Sequence, residues 1–165
     1  MNELLNLKRA GIYSNDDFIC VQTNSGYRLS VIDLDGETIF LSCQVTPKEL
    51  GRAVKAALAV SRVIPLDEIV AYHDLNRVKE VSEEWKRQIV ERFKYKNESR
   101  IFKNMKYCIL QSMDGIIKFS PTVHKGKDSW IGAGMEEEDY VFIEECESSE
   151  KVGKAAALAL SRCIG

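Results

Sequence analysis

Few side chains in this sequence could do catalytic chemistry. There are two histidines, His73 and His124, and a cysteine nucleophile paired with His124 would be the simplest catalytic arrangement, with Cys108 or Cys146 as the thiol. No sequence context typical of a cysteine enzyme surrounds any of the thiols, so a small cysteine-dependent enzyme is only a formal alternative. The five cysteines are dispersed and never form a C-x-x-C pair, which favours reduced thiols, most of them next to apolar residues: Cys20, Cys43, Cys108, Cys146 and Cys163.

The patterns that bind metals or phosphates are also missing from the sequence. Neither histidine has a second ligand at the spacing that zinc sites use. The single Gly-x-Gly, at residues 132–134, is followed by Met135 and four acids, which is the opposite of what a phosphate cradle requires. We therefore expect no metal, no cofactor and no catalysis.

Charge is distributed unevenly, and this is the strongest functional signal among the residues. Residues 77–106 hold ten Lys or Arg against five Glu, whereas residues 133–150 hold eight acids and no base. Both runs could be solvated faces. The sharper hypothesis is that Glu136, Glu137, Glu138 and Asp139 steer a basic protein partner, while the basic run could bind nucleic acid. Trp130, close to the acids, is interpreted as a core anchor in preference to an exposed recognition residue.

An internal repeat indicates which elements carry these residues. Residues 56–64 recur at 156–164 with seven of nine positions identical, and residues 39–41 resemble 141–143. Residues 21–26 are matched to 110–115. Each half then consists of three apolar, strand-like runs before a helix, which predicts a β-β-β-α unit twice. The helix register is ambiguous, because Gly51 and Gly153 match at a different offset from the rest.

Local signals place the helices. Thr46, Pro47 and Glu49 form a capping box at the start of the first repeat helix, and Ser148 or Ser149 is expected to start the second. Between the halves, apolar residues at helical spacing predict one or two amphipathic helices, with Ser82 as a possible start. Their apolar residues are Leu75, Val78, Trp85, Ile89 and Phe93.

Length and composition predict the fold class and the compartment. The chain has 165 residues, 45% of them hydrophobic and 29% charged, with a formal net charge of −2. This is typical of one globular domain with no global attraction to nucleic acid or membranes. No secretory or membrane-spanning segment is recognisable, which predicts a cytoplasmic protein. We expect a single α+β domain, 1–165, whose duplicated halves (about 18–64 and 107–164) form a mainly antiparallel sheet with helices packed on it, joined by a charged helical segment (about 65–103).

Three motifs carry a resemblance to a known family. They are residues 101–108 (IFKNMKYC), residues 124–132 from His124 to the Trp130-Ile131-Gly132 triplet, and residues 158–163 (LALSRC). In this order they resemble the immunity proteins of bacterial contact-dependent growth inhibition (CDI) systems, of the type paired with nuclease toxins, including metal-dependent DNases. The resemblance implies a cytosolic, non-catalytic protein that binds and blocks the C-terminal toxin domain of one effector, with a 1:1 stoichiometry expected. In some members a toxin hairpin adds to the sheet of the immunity protein.

We predict that the partner-binding residues are Glu136, Glu137, Glu138, Asp139, His124 and Trp130. The partner expected is the toxin domain, without membrane or direct nucleic-acid contact. The alternative is a nucleic-acid-binding or regulatory module that uses the basic segment 77–106.

Overall fold

The computed structural model describes residues 3–165, which form one seven-stranded sheet and a separate hairpin. Every ladder of the sheet is antiparallel, and the strand order is β3-β2-β1-β5-β6-β9, with β4 beside β3 on the outer edge of β2. The two-stranded hairpin is β7-β8. The strands are β1 (Lys8–Ser14), β2 (Ile19–Gly26), β3 (Ser30–Ile32), β4 (Thr38–Leu41), β5 (Lys106–Met113), β6 (Ile116–Pro121), β7 (Val123–Lys125), β8 (Ser129–Ile131) and β9 (Val141–Glu144).

Four α-helices accompany the sheet within the described residues. They are α1 (Pro47–Ala59), α2 (Ile69–Tyr72), α3 (Leu75–Phe93) and α4 (Ser149–Arg162). None of them is long and apolar enough to cross a membrane. The N-terminal segment, in which no secretory signal was recognised, begins with Met1 and Asn2, and these two residues lie outside the described residues.

The α+β fold with two β-β-β-α halves is confirmed, but the strand matching in the first half is wrong. The halves are β1, β2, β4, α1 and β5, β6, β9, α4, and β1 pairs with β5 at the centre. Residues 21–26 lie in β2, whose equivalent is β6, whereas their sequence match, 110–115, lies in β5 and its turn. The first strand, β1, was missed, because Gly11 and two basic residues interrupt its apolar pattern. The residue limits predicted for the duplicated halves, about 18–64 and 107–164, stay a prediction.

Helices α1 and α4 lie side by side on one face of the sheet and enclose the larger core. The start signals are confirmed: Thr46 and Glu49 form the capping box of α1, and the Ser148 side chain caps α4. The buried residues of the two helices follow one offset of 102, from Leu50 and Val152 to Leu58 and Leu160. The register is therefore the one that aligns the glycines, and the more similar segment at offset 100 is out of register.

The helix pair approaches closely at those glycines. A Cβ atom on Gly51 would lie 1.7 Å from the carbonyl oxygen of Ser149, and one on Gly153 would lie 1.6 Å from that of Pro47. No side chain fits between backbones at such distances. Glycine is therefore required at the crossing point of α1 and α4.

Helix α3 packs on the opposite face of the sheet, in a cluster formed mainly with the first half and with Tyr107 of β5. Trp85 and Ile89 of α3 are buried against Tyr13, Phe18 and Cys20. The amphipathic helix is confirmed, but it begins after Asp74, whose carboxylate accepts hydrogen bonds from the N–H groups of residues 76 and 77; Ser82 lies inside it. Leu75, which the periodicity placed on the apolar stripe, is exposed because it is the first residue of the helix and extends beyond the sheet.

Candidate functional site

The segment that follows α4 brings the hairpin and the acidic residues to one end of the molecule. The guanidinium of Arg162 donates hydrogen bonds to the carbonyl oxygens of Glu138 (3.3 Å) and Asp139 (3.1 Å). Two residues further on, the N–H of Ile164 donates to Thr122, and its carbonyl oxygen accepts from the N–H of His124 at 2.8 Å. The hairpin and the residues 132–140, here called the acidic loop, are thus both tied to the end of α4.

Within the hairpin, His124 and Trp130 face each other across the two strands. Their rings are stacked, with centroids 4.8 Å apart and planes inclined by 17°. The imidazole Nε2 lies 2.9 Å from the carbonyl oxygen of Lys127, so we assign the proton to that nitrogen. The structure therefore brings together two of the predicted partner-binding residues.

Trp130 also anchors the hairpin to the rest of the protein. Its indole N–H donates to the carbonyl oxygen of Met105 at 3.0 Å, and its ring packs near Tyr13, Tyr107 and Phe102. The side chain is half-buried. The core interpretation of Trp130 is therefore correct for one side of the ring, while the other side supports His124.

The acids of the loop divide into two kinds. The carboxylate of Asp139 accepts a hydrogen bond from the N–H of Glu136 at 2.8 Å, closing a turn of 3-10 helix over Glu137–Asp139. Glu136, Glu137 and Glu138 are exposed, and none of them forms a salt bridge with another described residue. Asp139 shapes the loop, and the three glutamates supply its outward negative charge.

Three of the five basic side chains of α3, those of Lys79, Lys86 and Arg87, form salt bridges. Arg87 is held between Glu84 and Glu91, with N–O distances of 2.6 Å and 2.7 Å, and Lys86 pairs with Glu98. Hydrogen bonds from Arg87 and then Gln88 lower the pKa of Glu84 to about 2. Arg92 lies over the ring of Phe40. This pairing weakens the case for a nucleic-acid-binding surface on α3.

The cysteines and histidines do not assemble into a catalytic arrangement. Cys108 and Cys163 lie in the core under α4, and His124 contacts Trp130 and Lys127 instead of a thiol. Burial, followed by the nearby Asp17 and Asp16, raises the pKa of the exposed Cys43, which is the reverse of thiol activation. Within residues 3–165 no group of three or more His, Cys, Asp or Glu side chains is placed to hold a metal ion.

Sequence reasoning missed Arg162 as the residue that holds the acidic loop. The sequence held a partial signal, because Arg62 and Arg162 align at the offset of 100, although the helices themselves follow an offset of 102. Arg62 binds the Asp33 carboxylate in the connection between β2 and β4, while Arg162 binds the connection between β6 and β9. The partners of Arg162 are backbone carbonyl groups, which leave no trace in the sequence.

The fold and this surface define a small α+β protein with an exposed acidic loop and no catalytic assembly among its described residues. The family model of CDI immunity proteins, CdiI, matches residues 8–163, and the chain belongs to this family. The immunity protein CdiI-YPIII of Yersinia pseudotuberculosis serotype O:3 (strain YPIII) is 33% identical over 177 residues and is covered completely, as is this chain. The resemblance seen in the sequence is confirmed.

Two solved structures have a similar fold. A CdiA-CT/CdiI toxin and immunity complex from Yersinia pseudotuberculosis contains a chain with a TM-score of 0.86 and 32% identity, covering 95% of this chain and 97% of that one. A protein of unknown function from Neisseria meningitidis, NMB0488, has a TM-score of 0.90 and 28% identity, with 96% of each chain covered. Both matches extend over nearly all of this chain, and the Yersinia chain belongs to a complex of a toxin with its immunity protein.

Proposed function

We propose that this protein neutralises the nuclease toxin of a CDI effector by binding its C-terminal toxin domain in the cytosol. The observation that carries the proposal is the family match over residues 8–163, together with the likeness to the chain from the Yersinia toxin–immunity complex. Such a protein acts by occupying a surface of its partner, and it needs no catalytic group of its own. A nuclease attacks nucleic acid inside the recipient cell, so its inhibitor is needed in the same compartment.

The acidic loop supports a nuclease as the partner. A nuclease has a positive surface for the phosphate backbone of its substrate. The exposed carboxylates of Glu136, Glu137 and Glu138 would attract that surface during encounter, and would repel acidic proteins and nucleic acids. We place the loop, with Asp139 holding its shape, at the rim of the toxin contact.

His124 and Trp130 complete the proposed contact surface. The stacked pair presents one imidazole face and one ring edge beside the loop, on a hairpin fixed by Met105 and Ile164. A rigid aromatic pair loses little conformational freedom on binding, which favours it as an anchor. His124 supplies the outer contact, and Trp130 supports it from below.

The neutralising activity is tested with the toxin domain encoded with this protein. Plasmid cleavage by that domain is measured while the immunity protein is titrated into the reaction. We expect cleavage to stop at one equivalent, and an unrelated DNase to be unaffected at the same concentration. Undiminished cleavage at several equivalents would refute the function, and a toxin that cleaves no nucleic acid would refute its nuclease part.

The role of the acidic loop is tested by association kinetics. The triple substitution Glu136→Gln, Glu137→Gln and Glu138→Gln should slow association about tenfold at low salt and flatten its salt dependence. A matched control removes three other exposed acids, Glu37, Glu68 and Glu80, with the same change in net charge. Equal rates for the loop variant and the wild type, or equal slowing by the control, would contradict a local steering role.

A further inference from the structure

The second half of the sheet carries an uncovered apolar face. Ile109 and Met113 on β5, Ile116 on β6 and Phe142 on β9 are 37%, 43%, 40% and 57% exposed. Met113 pairs with Ile116, and Lys118, two residues along β6, pairs with Phe142. Because directly paired residues and residues two apart point to the same side, these four apolar side chains share one face. We call it the open face.

The equivalent region of the first half shows what such a face normally requires. There α3 packs on the same side of the sheet and buries Trp85 and Ile89 against Tyr13 and Cys20. Among the described residues, no helix covers the open face. Gln111 and Lys118 lie among these apolar residues on the same side, and a group of large apolar side chains left in water is typical of an interaction surface.

The open face is continuous with the acidic loop. Tyr140 follows Asp139 directly, and the ammonium group of Lys118 lies 4.3 Å from the centre of its ring. Phe142 lies two residues further along the same chain segment. A partner that covers the open face up to Phe142 and Tyr140 therefore also lies beside the acidic loop.

We infer that the open face is the apolar centre of the toxin interface, and that it receives an apolar segment of the toxin flanked by basic side chains. The inference rests on the proposed function, because charge complementarity with the acidic loop selects a basic partner. The other candidate, a second copy of this chain, is disfavoured by the same charges. A second copy on this face would bring a second acidic loop to the interface, and like charges repel.

The inference is tested by calorimetric titration with a catalytically inactive variant of the toxin domain encoded with this protein. The double substitution Met113→Thr and Phe142→Thr introduces β-branched, strand-compatible residues at both positions. We expect at least about a tenfold loss of affinity, with an unchanged salt dependence. The matched control is Leu158→Gln, an apolar residue on the outer side of α4 with 46% exposure, for which we expect less than about a twofold change.

A second measurement uses the wild-type protein and so does not depend on the folding of a variant. Methionine methyl groups are labelled for NMR, and a soluble paramagnetic agent reports their exposure. The Met113 signal should lose its relaxation enhancement when the inactive toxin is added, while the fully buried Met105 serves as an internal reference. A Met113 methyl group that stays equally accessible in the complex would overturn the inference.

The outcomes separate this inference from the proposed function. If the double variant binds and inhibits the toxin as the wild type does, the open-face inference fails and the proposed function stands. If the wild type does not bind the toxin, both fail. If the wild type is a dimer in sedimentation and the double variant is a monomer with unchanged toxin affinity, a second copy occupies the face and the inference is overturned.

Discussion

The two β-β-β-α halves share strands and a helix but differ in what lies between and beside them. In the first half, the connection from β2 to β4 is short and contains Asp33, whose carboxylate accepts a hydrogen bond from Arg62. Helix α3 covers the outer face of the sheet there. In the second half, the connection from β6 to β9 contains the hairpin with Trp130 and the acidic loop, and the outer face is open. The first half is thus covered by the chain itself, whereas no described helix covers the outer face of the second half.

The largest expected effect comes from removing the cover of the first half. Trp85→Ala deletes an almost fully buried ring whose centroid lies 4.7 Å from that of Tyr13. We expect a loss of about 3–5 kcal/mol in the free energy of unfolding, measured by urea denaturation. A loss below about 1 kcal/mol would mean that α3 does not depend on this contact, and the contrast between the halves would disappear.

The glycine crossing tests the element that the halves share. Gly51→Ala and Gly153→Ala each place a methyl group against backbone of the other helix, so each should destabilise the protein by about 2–4 kcal/mol despite the higher helix propensity of alanine. The control is Gly132→Ala, where no atom lies within 4 Å of the added Cβ. Similar losses at both sites confirm an equivalent role, and two neutral substitutions would show that the helices do not cross there.

The arginine of the first half offers a pH-dependent test. Burial of the Asp33 carboxyl raises its pKa, but hydrogen bonds from Arg62 and Ser25 outweigh burial, and the net pKa is below its ordinary value. The stabilisation is therefore present above the unfolded pKa of about 3.9 and is lost as the pH falls through the lower, folded pKa.

For Asp33→Asn we expect a loss of about 1–3 kcal/mol at neutral pH. The unfolding curves of variant and wild type should then converge on acidification below the unfolded pKa. The control is Asp35→Asn, because Asp35 is exposed and lies 3.7 Å from the same arginine. A gap between Asp33→Asn and wild type that stays constant down to strongly acidic pH would show that the charge of Asp33 is not what Arg62 stabilises.

The smallest effect on stability is expected on the open face. Phe142→Thr removes a ring that is mostly in water, so the free energy of unfolding should change by less than about 0.5 kcal/mol. Differential scanning calorimetry of the free protein measures this change. A large loss would mean that Phe142 belongs to the fold, and the two halves would then be closed alike.

Signals that act within a few residues predicted the fold well. The capping box at Thr46 and Glu49, the start of α4 at Ser148 and the strand–helix order of both halves are all confirmed. The strand β1 was missed because it is central and buried on both sides, so its residues are selected by contacts with parts of the chain far away in sequence. Gly11, for example, lies against the ring of Tyr107, which would be 2.6 Å from an added Cβ. The choice between two repeat registers also depended on a contact between helices, which no local pattern contains.

The candidate site was predictable in part. The concentration of acids and the pair His124 and Trp130 could be found in the sequence, although no pattern showed that their rings stack. The open face could not be found, because Ile109, Met113, Ile116 and Phe142 look like ordinary strand residues. Only the absence of a second covering helix over them, a property of the assembled sheet, separates them from core residues.

Isothermal titration of this protein into the inactive toxin domain encoded with it tests the central claim most directly. We expect 1:1 binding with a dissociation constant in the nanomolar range or below, and a negative heat-capacity change from burial of the open face. No detectable heat at several temperatures, together with no co-migration of the two proteins in gel filtration, would contradict the claim that this surface exists to bind the toxin.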